Sequence, residues 1–288
     1  MKKQYFPPST KNNIMTLIKI PCRLATAALL ASVTININAA TLLSDTFATA
    51  STVAEAGWLV SSATNKTIVA DDAFPSGKAL EYSSAAGYIW RAFSSPGTAN
   101  DTTTISLTLK FRDLAGDDSA KCGFKIGLFN NAGTPASVTD DYGTFLIIQR
   151  GQMQILRDES SGSSGAFYGS TETPNIRGET ITYSPYGTGL HTLSLTLSKE
   201  GDSFVVTALL DGKNKLSLST TDPAFATVNE IIFSQRDGTA DMTANFRISD
   251  VTVTSTSISI PEPKSAATAL GLLMFMVLGL KKWFGASR

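Results

Sequence analysis

The chain has 288 residues, of which 17% are charged, with 24 Lys or Arg, 24 Asp or Glu and a single His. So little charge, together with 22 Gly and abundant Ser and Thr, argues against a helical or disordered chain and for a β-rich globular domain. The formal net charge of zero hides a division, because residues 41–260 carry 15 Lys or Arg against 23 Asp or Glu, a balance of −8, and this sign argues against nucleic acid and other polyanions, whose binding needs clustered cations.

At the N-terminus, Lys19 and Arg23 precede the apolar residues 24–33, and Asn38-Ala39-Ala40 follows. This is the pattern of a Sec-type signal peptide, so residues 1–40 are read as a leader handed to the Sec translocon and not as fold. Residues 1–14 make the n-region unusually long, whereas a start at Met15 gives a leader of ordinary size. Cys22 lies inside the leader without the small residues that precede a lipoprotein cysteine, so the mature chain keeps Cys122 alone and forms no intramolecular disulfide.

From Thr41 onward the hydrophobic period is two, which predicts strands. Asp45-Thr46-Phe47 opens the domain, residues 57–60 follow, and strands are expected at 78–84 and 87–94. In the latter, Tyr88, Trp90 and Ala92 share one face and Ile89, Arg91 and Phe93 the other, so one side carries either exposed aromatics or a second apolar layer. Residues 103–111 alternate cleanly, with Ile105, Leu107, Leu109 and Phe111 inward. Residues 122–129 and 142–150 come next, the second apolar on both faces as in a central strand covered on both sides, and 152–157 pairs back on it. Residues 158–188 are poorly patterned and hold Tyr168 and Tyr186. A meander of hairpins follows, with Leu193, Leu195 and Leu197 inward, then 204–210, an Asp211-Gly212 turn and 213–219. Strands at 228–234 and 245–254 close the domain, and the change of parity from Phe246 and Ile248 to Val251 and Val253 predicts a bulge at Ser249-Asp250.

The Phe47 and Trp58 opening, the Gly189-Leu190-His191 strand with its hairpin ending in Asp211-Gly212, and the closing residues 246–251 resemble, over residues 41–256, the concanavalin A-like, laminin-G-type jelly roll. The resemblance implies an all-β, two-sheet antiparallel sandwich of roughly 220 residues in one domain. A pair of immunoglobulin-like domains is the alternative, and no linker near the middle supports it.

Residues 257–264 form a linker containing Pro261-Glu262-Pro263. Residues 265–288 then hold an uncharged apolar run, about 24 Å long as a helix, followed by Lys281, Lys282 and Arg288. The lysines place the C-terminus in the cytoplasm and the sandwich outside. Tripeptide, short transmembrane helix and basic end resemble the PEP-CTERM sorting signal of Gram-negative bacteria, although two lysines, Trp283, Phe284 and Arg288 replace its usual arginine cluster. The resemblance implies a membrane-inserted intermediate, an exosortase-like processing enzyme as partner, and export to an exopolysaccharide-bearing cell surface. A plain tail anchor, with the prolines merely ending the last strand, is the alternative.

Glycosidase chemistry needs two carboxylates on one face of the cleft. The acidic residues here cluster in turns instead, as Asp71-Asp72, Asp117-Asp118 and Asp140-Asp141, and no catalytic or cofactor-binding residue is assigned. His191 has the parity of Leu193 and is read as an inward or edge structural residue. Paired aspartates supply the hard oxygens calcium prefers, and the jelly-roll resemblance implies a structural calcium of the kind such relatives often hold, for which Asp45 and Asp250 are the first candidates; solvated turn aspartates are the alternative. Two functions stay open: a non-catalytic glycan-binding or structural module using Tyr88, Trp90, Tyr168 or Tyr186 to stack on sugars, and a carbohydrate-active enzyme of the same fold.

Overall fold

The computed structural model describes residues 36–61, 66–82, 87–114, 123–131, 142–149, 152–158, 176–182, 189–235 and 246–259, together with residues 272 and 274–276 in helical conformation. The strands described are β1 (Asn36–Asp45), β2 (Leu59–Val60), β3 (Lys66–Ala70), β4 (Lys78–Tyr82) and β5 (Tyr88–Thr98). They continue with β6 (Thr103–Asp113), β7 (Gly123–Asn130), β8 (Tyr142–Gln149), β9 (Gln152–Asp158) and β10 (Ile176–Thr182). The last are β11 (His191–Glu200), β12 (Ser203–Leu210), β13 (Asn214–Thr220), β14 (Thr227–Gln235) and β15 (Phe246–Ser259), with a short 3-10 turn at Pro223–Ala226.

The pairings among β2 to β15 are antiparallel and build two sheets. The eight-stranded sheet runs β13-β12-β11-β6-β15-β4-β3, with β1 also on β15, and the seven-stranded sheet runs β10-β9-β8-β7-β14-β5-β2. The compact unit they form is Ile37–Ile258.

Alternation places the core. Ile105, Leu107 and Leu109 of β6 stand opposite Leu197, Leu195 and Leu193 of β11, all fully buried. Phe124, Ile126 and Leu128 of β7, with Ile231 and Phe233 of β14, meet them from the seven-stranded sheet. Each such side chain contributes about 1.5–3 kcal/mol relative to exposure, so this layer is the main favourable term. The Asp211-Gly212 hairpin turn has φ of 52° and 67°, the left-handed conformation that this dipeptide adopts readily. In β15 the expected bulge is present, because Ser249 faces Lys110 while Thr252 faces Thr108, leaving Asp250 and Val251 opposite one residue. Phe246 and Ile248 before it and Val251 and Val253 after it are all buried.

Other boundaries differ from the alternation reading. Strand β1 begins at Asn36, ahead of the expected start at Thr41, yet residues 36–41 are exposed and its buried side chains are Leu42 and Leu43. Strands β3 and β10 fall where no strand was expected, and β15 runs on to Ser259. One sandwich, not two immunoglobulin-like domains, holds the described strands. The leader up to residue 35, Cys122, Tyr168, Tyr186, Pro261, Glu262, Pro263, Lys281 and Lys282 lie outside the described residues. Among the described residues no helix is long and apolar enough to cross a membrane.

Two glycines set the floor of the seven-stranded sheet. A Cβ on Gly143 would stand 2.3 Å from Phe129 Cδ1 and 2.5 Å from the Leu128 carbonyl oxygen, and one on Gly127 would stand 2.3 Å from Phe129 Cε2. The Phe129 ring therefore lies down across both. Gly143→Ala is expected to lower stability by about 1–3 kcal/mol through overpacking, whereas Gly189→Ala, with open space around it, should stay within about 0.5 kcal/mol. Urea unfolding midpoints check this, and equal midpoints for the two variants would refute the seating of Phe129.

Candidate functional site

Strand parity gives the seven-stranded sheet a second apolar layer on the face turned away from the sandwich core. Trp90, Phe129, Phe145, Ile147, Leu156 and Ile232 form it, and Tyr88 packs against it. The register sets them in rows. One row runs Leu59, Trp90, Ile232, Gly127, Phe145, Leu156 across β2, β5, β14, β7, β8 and β9. Trp90 is only 7% exposed, so it is not the open sugar-stacking ring anticipated from sequence. Ile232 and Leu59 stand on either side of it, and the Tyr88 ring lies 5.7 Å from its centroid. Tyr88 keeps partial exposure.

The neighbouring row runs Ala92, Glu230, Phe129, Gly143, Asp158. It brings two carboxylates onto one face: Glu230 is 0% and Asp158 1% exposed, and Lys125 on the same face is 4% exposed. Three strand spacings separate the backbones of Glu230 and Asp158, roughly 14 Å. That is a separation of backbones, and the Phe129 ring stands between the two positions in the row. Sequence reasoning missed Glu230 because it sought carboxylates in turns and in one acidic run. The available signal was a lone Glu inside the apolar strand β14, with the parity of Ile232.

The two calcium candidates hold protein partners. The Asp45 carboxylate accepts from the Phe47 N–H at 2.8 Å and from Trp58 Nε1 at 2.7 Å, and it pairs with the Arg91 guanidinium. Both its oxygens thus face donors, and Phe47 sits at a φ of 56°. Asp250, at a φ of 53° in the bulge, lies 3.1 Å from Lys110 Nζ. Among the described residues no three of His, Cys, Asp and Glu gather as a metal site. His191 Nδ1 is 2.8 Å from Asp211 Oδ2, while Asp211 Oδ1 accepts from the Thr192 N–H at 2.8 Å. With its ring 5.5 Å from Phe111, the histidine ties the start of β11 to the β12–β13 turn.

A charged network lies at the β3, β4, β6 and β15 end of the other sheet. Asp71 accepts from Arg112 at 2.8 and 3.1 Å and from Arg247 at 3.0 Å, and Arg247 also reaches Glu81 at 2.8 Å. Burial alone would push the Asp71 carboxyl up, but the Arg247 hydrogen bond, the Ala73 N–H and the charges of Arg112 and Arg247 outweigh it and hold it below the ordinary 3.8. Arg247 is correspondingly raised, its bonds to Asp71 and Glu81 outweighing the opposing effect of its own burial.

No protein-family pattern matches the sequence, and no curated protein matches it. Solved structures do match in fold. A carbohydrate esterase of Shiga toxin-encoding bacteriophage phi24B superposes with a TM-score of 0.51 at 15% identity, covering 76% of this chain and 100% of that one. An endo-1,3-beta-glucanase from Streptomyces sioyaensis gives 0.52 at 12% identity, covering 76% and 96%. An acidic lectin of winged bean gives 0.46 at 8% identity, covering 78% and 100%. The described sandwich thus shares its two-sheet jelly-roll fold with the esterase and the glucanase, and at these identities the likeness is one of fold alone.

The Asp71 network carries a pH signature. A carboxyl held low in the folded state adds stability that is complete above its unfolded value and is lost as pH falls through its folded value. Below the ordinary aspartate value of 3.8, the melting temperature of the wild type is expected to fall more steeply than that of Asp71→Asn, which starts lower at pH 7. Parallel acid limbs in calorimetry would show that the network does not act this way.

Proposed function

We propose that the chain is an exported cell-surface or matrix protein whose sandwich is a non-catalytic glycan-binding or structural module. The observation that carries this is the outer face of the seven-stranded sheet, where the two buried carboxylates lie three strands apart with an aromatic ring between them. A ring seated between the two positions argues against their acting on one sugar as paired acid and nucleophile. Support also comes from the fold, shared with proteins described as a carbohydrate esterase and an endo-1,3-beta-glucanase. In this reading Tyr88 is the aromatic that a ligand at the sheet margin would meet, and the acidic balance of the domain favours neutral ligands.

The leader, the Pro261-Glu262-Pro263 tripeptide and the basic end describe the route in the same proposal. The Sec translocon exports the chain, the apolar tail holds it in the membrane, and an exosortase-like enzyme cuts near the tripeptide. The residue before a proline is biased to extended backbone, and an extended segment beside the membrane is what an integral membrane protease can bind. The second reading, a carbohydrate-active enzyme, is favoured by one observation: Glu230 and Asp158 are buried on one face, and buried carboxylates recur at active sites.

Two experiments decide between these. A glycan array is expected to retain the protein without hydrolysing what it binds, and reducing-end release that disappears in Glu230→Gln would establish the enzyme reading. In the native host, Glu262→Ala should leave the protein uncleaved and in the membrane fraction. Wild-type protein whose intact mass still includes Trp283 and Arg288 would refute the processing step.

A further inference from the structure

The outer face of the eight-stranded sheet is built on a different principle. Ser217, Thr207, Thr196, Ser106 and Thr254 stand opposite one another across β13, β12, β11, β6 and β15. At roughly 4.8 Å per strand they make one row of hydroxyl side chains about 19 Å long. The rows on either side are Ser or Thr as well, except for Val205, Leu209 and Lys215. Fifteen outward positions thus hold one charge, where a solvent-facing surface ordinarily has about 25–35% charged residues, or roughly four or five. This is not for want of charged residues, since residues 41–260 carry 15 Lys or Arg and 23 Asp or Glu. Lys110, one step beyond Thr108, is drawn to Asp250 at 3.1 Å.

We infer that this face is an adhesion surface for a neutral, hydroxyl-rich polysaccharide, an inference that rests on the glycan-binding reading above and names its surface and ligand class. A hydroxyl both donates and accepts, so the row matches sugar hydroxyls in either polarity and either chain direction. Apart from Lys215 no charge has to be desolvated, a step that costs several kcal/mol per ion when partners are imperfect. Threonine methyls, Val205 and Leu209 supply apolar contact for sugar C–H faces. The β-branched threonines are stiff at χ1, so little rotamer freedom is lost when a polymer settles on them. Single contacts of this kind are weak, and a repeating polymer multiplies them along the row. The right-handed twist of a sheet also suits a flexible chain lying along the row better than a rigid planar crystal. A second copy of the protein is the less fitting occupant, since homodimer interfaces are about 65% apolar and this face is mostly hydroxyl.

The test is co-sedimentation of the purified full-length protein, kept in a polyoxyethylene detergent without a sugar headgroup. The probes are amorphous cellulose and crosslinked carboxymethylcellulose, the same backbone without and with negative charge. Wild type should be retained on cellulose and at least tenfold less on the carboxymethyl form. The double variant Thr196→Glu, Thr207→Glu should lose at least tenfold on cellulose, while Thr196→Ser, Thr207→Ser keeps binding, with dichroism and unfolding midpoint recorded for both. Equal retention on the two polymers, no retention of wild type on cellulose, or undiminished retention of the folded Glu variant would overturn the assignment. So would light scattering that shows a wild-type dimer dissociated by the Glu variant. Failure on cellulose with binding on the soluble glycan array removes this surface and leaves the glycan-binding reading standing; failure of both removes the reading itself.

Discussion

Burial on both faces of the seven-stranded sheet is the constraint from which most of the molecule follows. A strand presents alternate residues to opposite sides, so once β5, β7, β8, β9 and β14 are covered twice, their sequences cannot alternate apolar with polar. They become nearly continuous apolar runs, as in the Phe145-Leu146-Ile147-Ile148 stretch, buried throughout. Room for the Phe129 ring on the outer side requires the glycines at 127 and 143. The same double burial makes Glu230 costly, because an ionised carboxylate removed from water loses several kcal/mol unless it is paired and hydrogen-bonded.

The opening of the domain depends on a smaller device. Phe47 adopts a left-handed φ of 56° without being glycine, a conformation that costs about 1–2 kcal/mol. Asp45, two residues earlier, takes the Phe47 N–H on one carboxylate oxygen and the Trp58 indole and Arg91 on the other. One side chain thereby stabilises the strained turn, orients the buried tryptophan and joins β1 to β5, which belong to different sheets. The other non-glycine residues with positive φ are Asp211 and Asp250, and aspartate tolerates that region because its short carboxylate bonds locally. The Asp211 carboxylate bonds across the sheet instead, accepting from the Thr192 N–H of β11.

The legible part of this fold is the part governed by local alternation. Strands β6, β11, β12 and β13, the Asp-Gly turn and the bulge in β15 are each written in the parity of neighbouring residues, so the sequence shows them directly. Strands β3 and β10 are the outermost of their sheets, each held by a single neighbour, β4 and β9 respectively, and their own residues carry little pattern. Parity could say that Tyr88 and Trp90 share a face with Ala92, but not whether that face meets solvent, since the answer lies in the second layer contributed by β7, β8, β9 and β14. Glu230 escaped notice for the same reason: a single acidic residue in an apolar strand acquires meaning only when cross-strand register sets it in a row with Asp158.

The two outer faces therefore divide the chemistry of the domain. The seven-stranded sheet hides its charges among aromatic and aliphatic side chains, while the eight-stranded sheet presents an almost uncharged array of short hydroxyls to solvent. Among the described residues, charge at the rims includes the pair of Lys199 with Asp101 and the Asp71 network. At physiological ionic strength fields fall off over about 8 Å, so each of these charges acts mainly near its own rim. A polyanion approaching the sandwich meets repulsion at the rims and finds no cation cluster on the hydroxyl face to release its counterions. A neutral ligand meets neither obstacle. The distribution of charge over the sandwich, more than its total, sets the field that each face presents.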